Sequence, residues 1–79
     1  MSVVTVDDVR RRIAELLAIP DSRAPSDAVL TDLVSDSFRL VELAIELQDH
    51  YEVMFGQDDM RDVRTVGDLA AMVRSRLAA

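Results

Sequence analysis

Apolar residues recur at helical spacing in three separate stretches of this chain. Val6, Val9, Ile13, Leu16 and Leu17 fall at i, i+3, i+7, i+10 and i+11, one face of a helix. Thr5 is suited to cap that helix, Asp7 and Asp8 lie in its first turn where the dipole favours negative charge, and Pro20 closes the segment. A second helix is predicted from Ser37 to Tyr51 with Asp36 as its N-cap. A last one is predicted from Val66 to Leu77, with Thr65 as cap and Asp68 as the acid half of a capping box. Its inward face is Val66, Leu69, Met72, Val73 and Leu77.

The remaining stretches connect these helices. Residues 19–35 carry Pro20, Ser22, Pro25, Ser26 and Asp27, which is turn chemistry, with Val29, Leu30 and Leu33 placed to dip back into the core. A linker containing Gly56 leads to a predicted helical turn over 57–62. No strand-like alternation of useful length and no internal repeat is present. The expected fold is all-α, a small bundle of three main helices plus one short helix, in a single domain over residues 1–79.

The second helix has two apolar faces. With Ser37 at zero and about 100° per residue, Leu40, Leu43, Ala44, Leu47 and Tyr51 fall between about 240° and 340°, a stripe sufficient to dock the helix on a bundle. Phe38, Val41 and Ile45 fall between about 40° and 100°, with Glu42, Glu46 and Asp49 as an acidic rim. A monomer gains nothing by leaving those three side chains in water, at roughly 25 cal/mol per Å2 of apolar area. They are expected to form a partner surface; the competing expectation is that the long loop buries the helix on a second side.

Composition narrows the function. The chain holds fifteen acidic residues against nine basic ones, all arginine, for a net charge of −6, so phosphate backbones would be repelled and basic protein surfaces favoured. Nucleic acid is therefore not an expected partner. It has no cysteine, so the core must come from packing alone, and with 49% hydrophobic and 4% aromatic residues that core is aliphatic. Apolar runs such as Leu16-Leu17-Ala18-Ile19 are too short to span a membrane, and no signal-peptide pattern opens the chain. A cytoplasmic monomer is expected.

Ser37 opens the second helix. Serine is common at helix starts, where its hydroxyl bonds an orphan backbone N–H, but Asp36 already supplies that cap. The dipole and free amides there suit an anion, while the Asp36 charge opposes one. The run Leu33-Val34-Ser35-Asp36-Ser37-Phe38-Arg39-Leu40-Val41-Glu42-Leu43 resembles the phosphopantetheine attachment signature of acyl carrier proteins. Asp32-Leu33 before it and Thr65-Val66-Gly67-Asp68-Leu69 at the last helix are similar to further family segments at similar spacing. The resemblance covers essentially the whole chain. It implies a carrier and no enzyme: a phosphopantetheinyl transferase would join 4′-phosphopantetheine from coenzyme A to Ser37, beside Asp36. The thiol of that group would hold an acyl or aminoacyl cargo as a thioester. It implies docking through Phe38, Arg39, Val41, Glu42, Ile45, Glu46 and Asp49 onto basic, partly apolar patches of acyltransferase, synthase or ligase enzymes.

Three positions depart from the family pattern: Val34 for a frequent glycine, Phe38 for leucine or methionine, and Arg39 for an acidic residue. Arg39 has Glu42 and Glu46 within reach, and reads equally as a surface ion pair or as a charge that excludes wrong partners. These departures point away from a housekeeping fatty-acid carrier and towards polyketide-type antibiotic biosynthesis. A peptidyl or aminoacyl carrier of nonribosomal type stays open, as does an unmodified acidic helical adaptor for a basic partner.

Other chemistry is sparse. His50, the sole histidine, lies four residues after Glu46 and is expected to pair with it on the surface. It falls near about 220°, too far around the helix to act as a base for Ser37. Without cysteine or a second histidine no transition-metal site is expected, and Asp58, Asp59 and Asp62 lack the ligand spacing of a calcium loop. Arg10, Arg11 and Arg12 fan around the first helix, and Met54, Met60 and Met72 are expected as core filler.

Overall fold

The computed structural model describes residues 3–77 as an all-α bundle. Its helices are α1 (Val6–Leu16), α2 (Leu30–Leu33), α3 (Ser37–Tyr51), α4 (Gln57–Met60) and α5 (Val66–Leu77), with a 3-10 turn at Asp21–Arg23. The three long helices coincide with those predicted, and α4 lies within the predicted turn. The turn at Asp21–Arg23 and α2 are additions within the stretch expected to be a loop. Helices α1, α3 and α5 pack together, α1 most closely on α5.

Local chemistry sets the helix ends. The Thr5 hydroxyl accepts from the Asp8 amide (3.1 Å) and the Asp8 carboxylate accepts from the Thr5 amide (3.0 Å), a complete capping box. Thr65 and Asp68 repeat it at α5, where Asp68 also accepts the Arg64 amide (3.2 Å). These amide bonds hold the carboxyls of Asp8 and Asp68 below the usual aspartate range, because they favour the charged form. Helix α1 ends before Pro20 is reached: Ala18 turns left-handed (φ 58°), and the Ala18 and Ile19 amides bond back to Glu15 and Ala14. Glu52 (φ 54°) ends α3 in the same way.

The core centres on Val9, Ile13, Leu30, Leu43, Leu47, Val66, Leu69 and Val73. Val6 and Val29, predicted inward, are partly in water, and Ala70 joins the core unpredicted. The expectation for Met54 fails: it is 83% exposed on the loop after α3, while Met60 and Met72 pack against the core.

The segment before α3 is fastened at two places. Arg10 bonds the Asp21 carboxylate, the Asp21 carbonyl and the Ala24 carbonyl (3.0 Å), while its Nε holds Asp7. The start of α5 is laced to the same segment by Gly67 N–H to Ser26 O (2.8 Å), Val66 N–H to Ala28 O (2.9 Å) and Leu30 N–H to Arg64 O (2.9 Å). A Cβ on Gly67 would meet the Ser26 carbonyl oxygen at 2.8 Å, closer than real Cβ contacts come. Gly67→Ala is therefore expected to destabilise the fold by about 1–3 kcal/mol, read as a lowered urea midpoint. An unchanged midpoint would show that the lacing yields without loss.

Candidate functional site

Asp36 and Ser37 divide the start of α3 between them. Asp36, in extended backbone (φ −101°, ψ 119°), is the N-cap, and its Oδ1 accepts the Phe38 amide at 2.9 Å. The hydroxyl of Ser37 is thus not needed for capping, and the residue is exposed. The amides of Arg39 and Leu40 bond the Asp36 carbonyl (3.1 and 3.2 Å). The free first-turn amides expected to greet an anion are therefore largely engaged.

Phe38, Val41 and Ile45 are 71%, 54% and 52% exposed, so the long loop does not bury α3 on a second side. Glu42 and Asp49 are exposed and Glu46 half-buried beside them. Two of the three apolar residues have a second setting. Val41 and Ile45 also form one wall of a groove of about 360 Å3 that begins at Ser37. Leu40, Ala44 and Gln48 continue along α3, and Phe55, Gly56, Gln57 and Met60 close the other side. The far wall was not foreseen from the sequence. One signal was available: Gln48 falls near about 20° on the α3 wheel, on the Ser37 face, and a short glycine-led helix follows.

Arg39 makes the ion pair expected with Glu46 and reaches a second acceptor as well. Its Nη2 donates to the Leu16 carbonyl at 2.6 Å, and Nη1 lies 3.7 Å from Glu46 Oε1. The last turn of α1 holds no basic residue of its own, so Arg39 supplies from α3 the cation that the carbonyl end of α1 favours. His50 departs from expectation: its ring meets Tyr51 edge-on at 4.7 Å, and no His50–Glu46 pair occurs among the described residues. Val34 is buried with ordinary extended backbone (φ −128°, ψ 101°), so the turn before the site does not need glycine. No group of three or more potential metal ligands occurs among the described residues.

Comparison with known proteins takes in most of the chain. The family described as phosphopantetheine attachment site matches residues 7–73. An acyl carrier protein of Brachyspira hyodysenteriae is 33% identical over 70 residues, covering 86% of this chain and 90% of that protein. The chain belongs to the acyl carrier protein family. Meromycolate extension acyl carrier proteins of Mycobacterium tuberculosis and Mycobacterium leprae are 32% and 30% identical over 76 residues, covering 90% of this chain. The chain spans 66% of the length of those mycobacterial relatives.

Family members are carriers without catalysis of their own, and the prosthetic group is covalent 4′-phosphopantetheine. This carrier's residues fit that group: an accessible hydroxyl stands at the helix start, and an apolar groove runs from it. Arg39, two residues after Ser37, is held by the Leu16 carbonyl and Glu46 and so is not free to offset the Asp36 charge. Arg39→Ala is expected to cost about 1–2 kcal/mol in urea unfolding, because the Leu16 carbonyl loses a charged donor. Glu46→Gln should cost far less. Equal stability of Arg39→Ala and the parent protein would return Arg39 to a purely partner-facing role.

Proposed function

We propose that residues 1–79 act as one carrier domain, with Ser37 as the phosphopantetheine attachment site. The observation that carries this is the pairing of an exposed, cap-free Ser37 hydroxyl with the groove that begins beside it. When bound, 4′-phosphopantetheine supplies a thiol that holds cargo as a thioester. Asp36 fixes the helix start, and Phe38, Val41 and Ile45 with Glu42, Glu46 and Asp49 offer apolar contact inside an acidic rim. That chemistry fits partners with basic and apolar patches: the phosphopantetheinyl transferase first, then acyltransferase, synthase or ligase enzymes. No helix among the described residues is long and apolar enough to cross a membrane, and we place the carrier in the cytoplasm as a monomer.

For the cargo we favour polyketide-type biosynthesis, supported by Phe38 and by Arg39 in a position often acidic in fatty-acid carriers. The apolar groove and the meromycolate extension carriers among the relatives favour a second reading, extension of a long acyl chain. Loading by the partner enzymes of each pathway separates the two.

Intact mass after incubation with coenzyme A and a promiscuous transferase should rise by one phosphopantetheine, and Ser37→Ala should gain none. No gain by the folded parent protein, with the transferase active on a control, would leave an unmodified adaptor as the better description. Val41→Asp should slow cargo transfer about tenfold, as expected for losing apolar contact at a docking surface, with an unchanged far-UV spectrum. Loss of helical signal would show instead that Val41 supports the fold.

A further inference from the structure

Helix α4 forms one wall of the groove but is weakly held. Phe55, Gly56, Gln57 and Met60 line that wall, yet the close packing of helices is confined to α1, α3, α5 and the 3-10 turn. Apolar anchorage comes from Phe55, which is buried, and from Met60 and Val63, which pack partly against the core. Gly56 leads into α4 with open space around it: a Cβ there would meet nothing within 4 Å. The internal bonds of the segment are local, from the Asp59 and Met60 amides to the Gly56 carbonyl, and between Arg61 and Asp58.

Just before Gly56, the Phe55 amide donates to Gln48 Oε1 of α3 (3.4 Å), and beyond Gly56 one polar tie among the described residues joins α4 itself to another helix. Asp59 is shared between two tasks. Its Oδ2 accepts the Gly56 amide at 2.9 Å and so holds the first turn of α4 together. Its Oδ1 accepts from Arg76 Nη2 at 2.6 Å, seventeen residues away near the end of α5. The same carboxylate therefore forms the turn and ties it to the bundle. Both side chains are partly exposed, 34% for Asp59 and 43% for Arg76, so the tie is one that thermal motion and salt can open.

From this geometry we infer that the Asp59–Arg76 pair is a specificity-determining latch, setting how far α4 stands off α3 and hence the size of cargo the groove shelters. The inference rests on Ser37 being the attachment site, since only then does cargo lie at the groove. With the pair closed, Met60 and Phe55 face Val41 and Ile45 across a narrow cleft. With it open, the Gly56 hinge lets α4 swing outward while the α1–α3–α5 core stays intact. Long or branched cargo would demand the open state, and short cargo would fit the closed one.

Arg76→Gln removes the tie but keeps the Asp59–Gly56 bond. Arg76→Lys keeps a cation in place, and Arg74→Gln on the same helix is a control for net charge. In the unmodified protein, amide exchange at Gly56, Asp59 and Met60 should be about two- to fivefold faster in Arg76→Gln, as expected for an exposed ion pair. Exchange at Ile13 and Leu47 should stay unchanged, Arg76→Lys should restore most of the protection, and added salt should bring the parent protein towards Arg76→Gln. Next, the modified proteins are loaded with straight-chain acyl groups of increasing length, and thioester cleavage by hydroxylamine is timed. Arg76→Gln should extend protection to longer chains than the parent protein shelters, and Arg74→Gln should not. Unchanged exchange overturns the latch, and faster exchange with an unchanged length profile overturns its role in cargo size. Failure of the parent protein to take up phosphopantetheine overturns the attachment site itself, and is seen by mass before any cargo is loaded.

Discussion

The hydrogen bond from Gly67 N–H to the Ser26 carbonyl is possible only because position 67 carries no side chain. Around it the start of α5 gathers the whole connection between α1 and α3, with Val66 on Ala28 and Leu30 on Arg64. A connection with little regular structure has backbone groups that must find partners elsewhere. Here α5 provides them at one end and Arg10 at the other. Leu30 is buried where the lacing ends, Val34 follows it into the interior, and two residues later the chain delivers Asp36 and Ser37 to the surface. The position of Ser37 is thus set by contacts far from it in sequence.

Helix α3 then serves several surroundings at once. Leu43, Ala44 and Leu47 fill the core, and Arg39 reaches across to the carbonyl end of α1. Val41 and Ile45 overlook the groove, while Phe38 projects furthest into solvent. A carrier must be recognised by several enzymes and still protect what it carries. Separating these faces around one helix lets each requirement be met by different side chains. The acidic surplus of the chain contributes little to holding the bundle together, and suits the encounter with basic partners proposed above.

Most of this architecture could be read from the sequence because its signals are local. Thr5, Asp36 and Thr65 mark helix starts by chemistry that acts within three residues, and the apolar periodicity of Val9, Ile13, Leu43, Leu47, Leu69 and Val73 is strong. What escaped depends on tertiary contact. The α2 turn exists because Leu30 is drawn inward and its amide is bound by Arg64, which no local pattern announces. The Glu46 partner of Arg39 is readable from helical spacing, but its second acceptor, the Leu16 backbone carbonyl, has no sequence signature. Met54 was assigned to the core by its side chain alone, although it sits on the loop just after the left-handed end of α3 at Glu52. Ser37 stands out in the sequence through its motif, whereas the groove beside it does not, because its far wall comes from residues whose approach to α3 only the fold determines.

The capping role of Asp36 has a consequence for the life cycle of a carrier. If serine itself held the helix start, esterifying its oxygen would strip an amide of its acceptor and loosen the first turn. With the neighbouring carboxylate in that role, the oxygen can be esterified and later freed while α3 keeps the same beginning. The protein would then show the same scaffold before loading, while loaded and after discharge, so that an enzyme telling these states apart must sense the arm and its cargo directly.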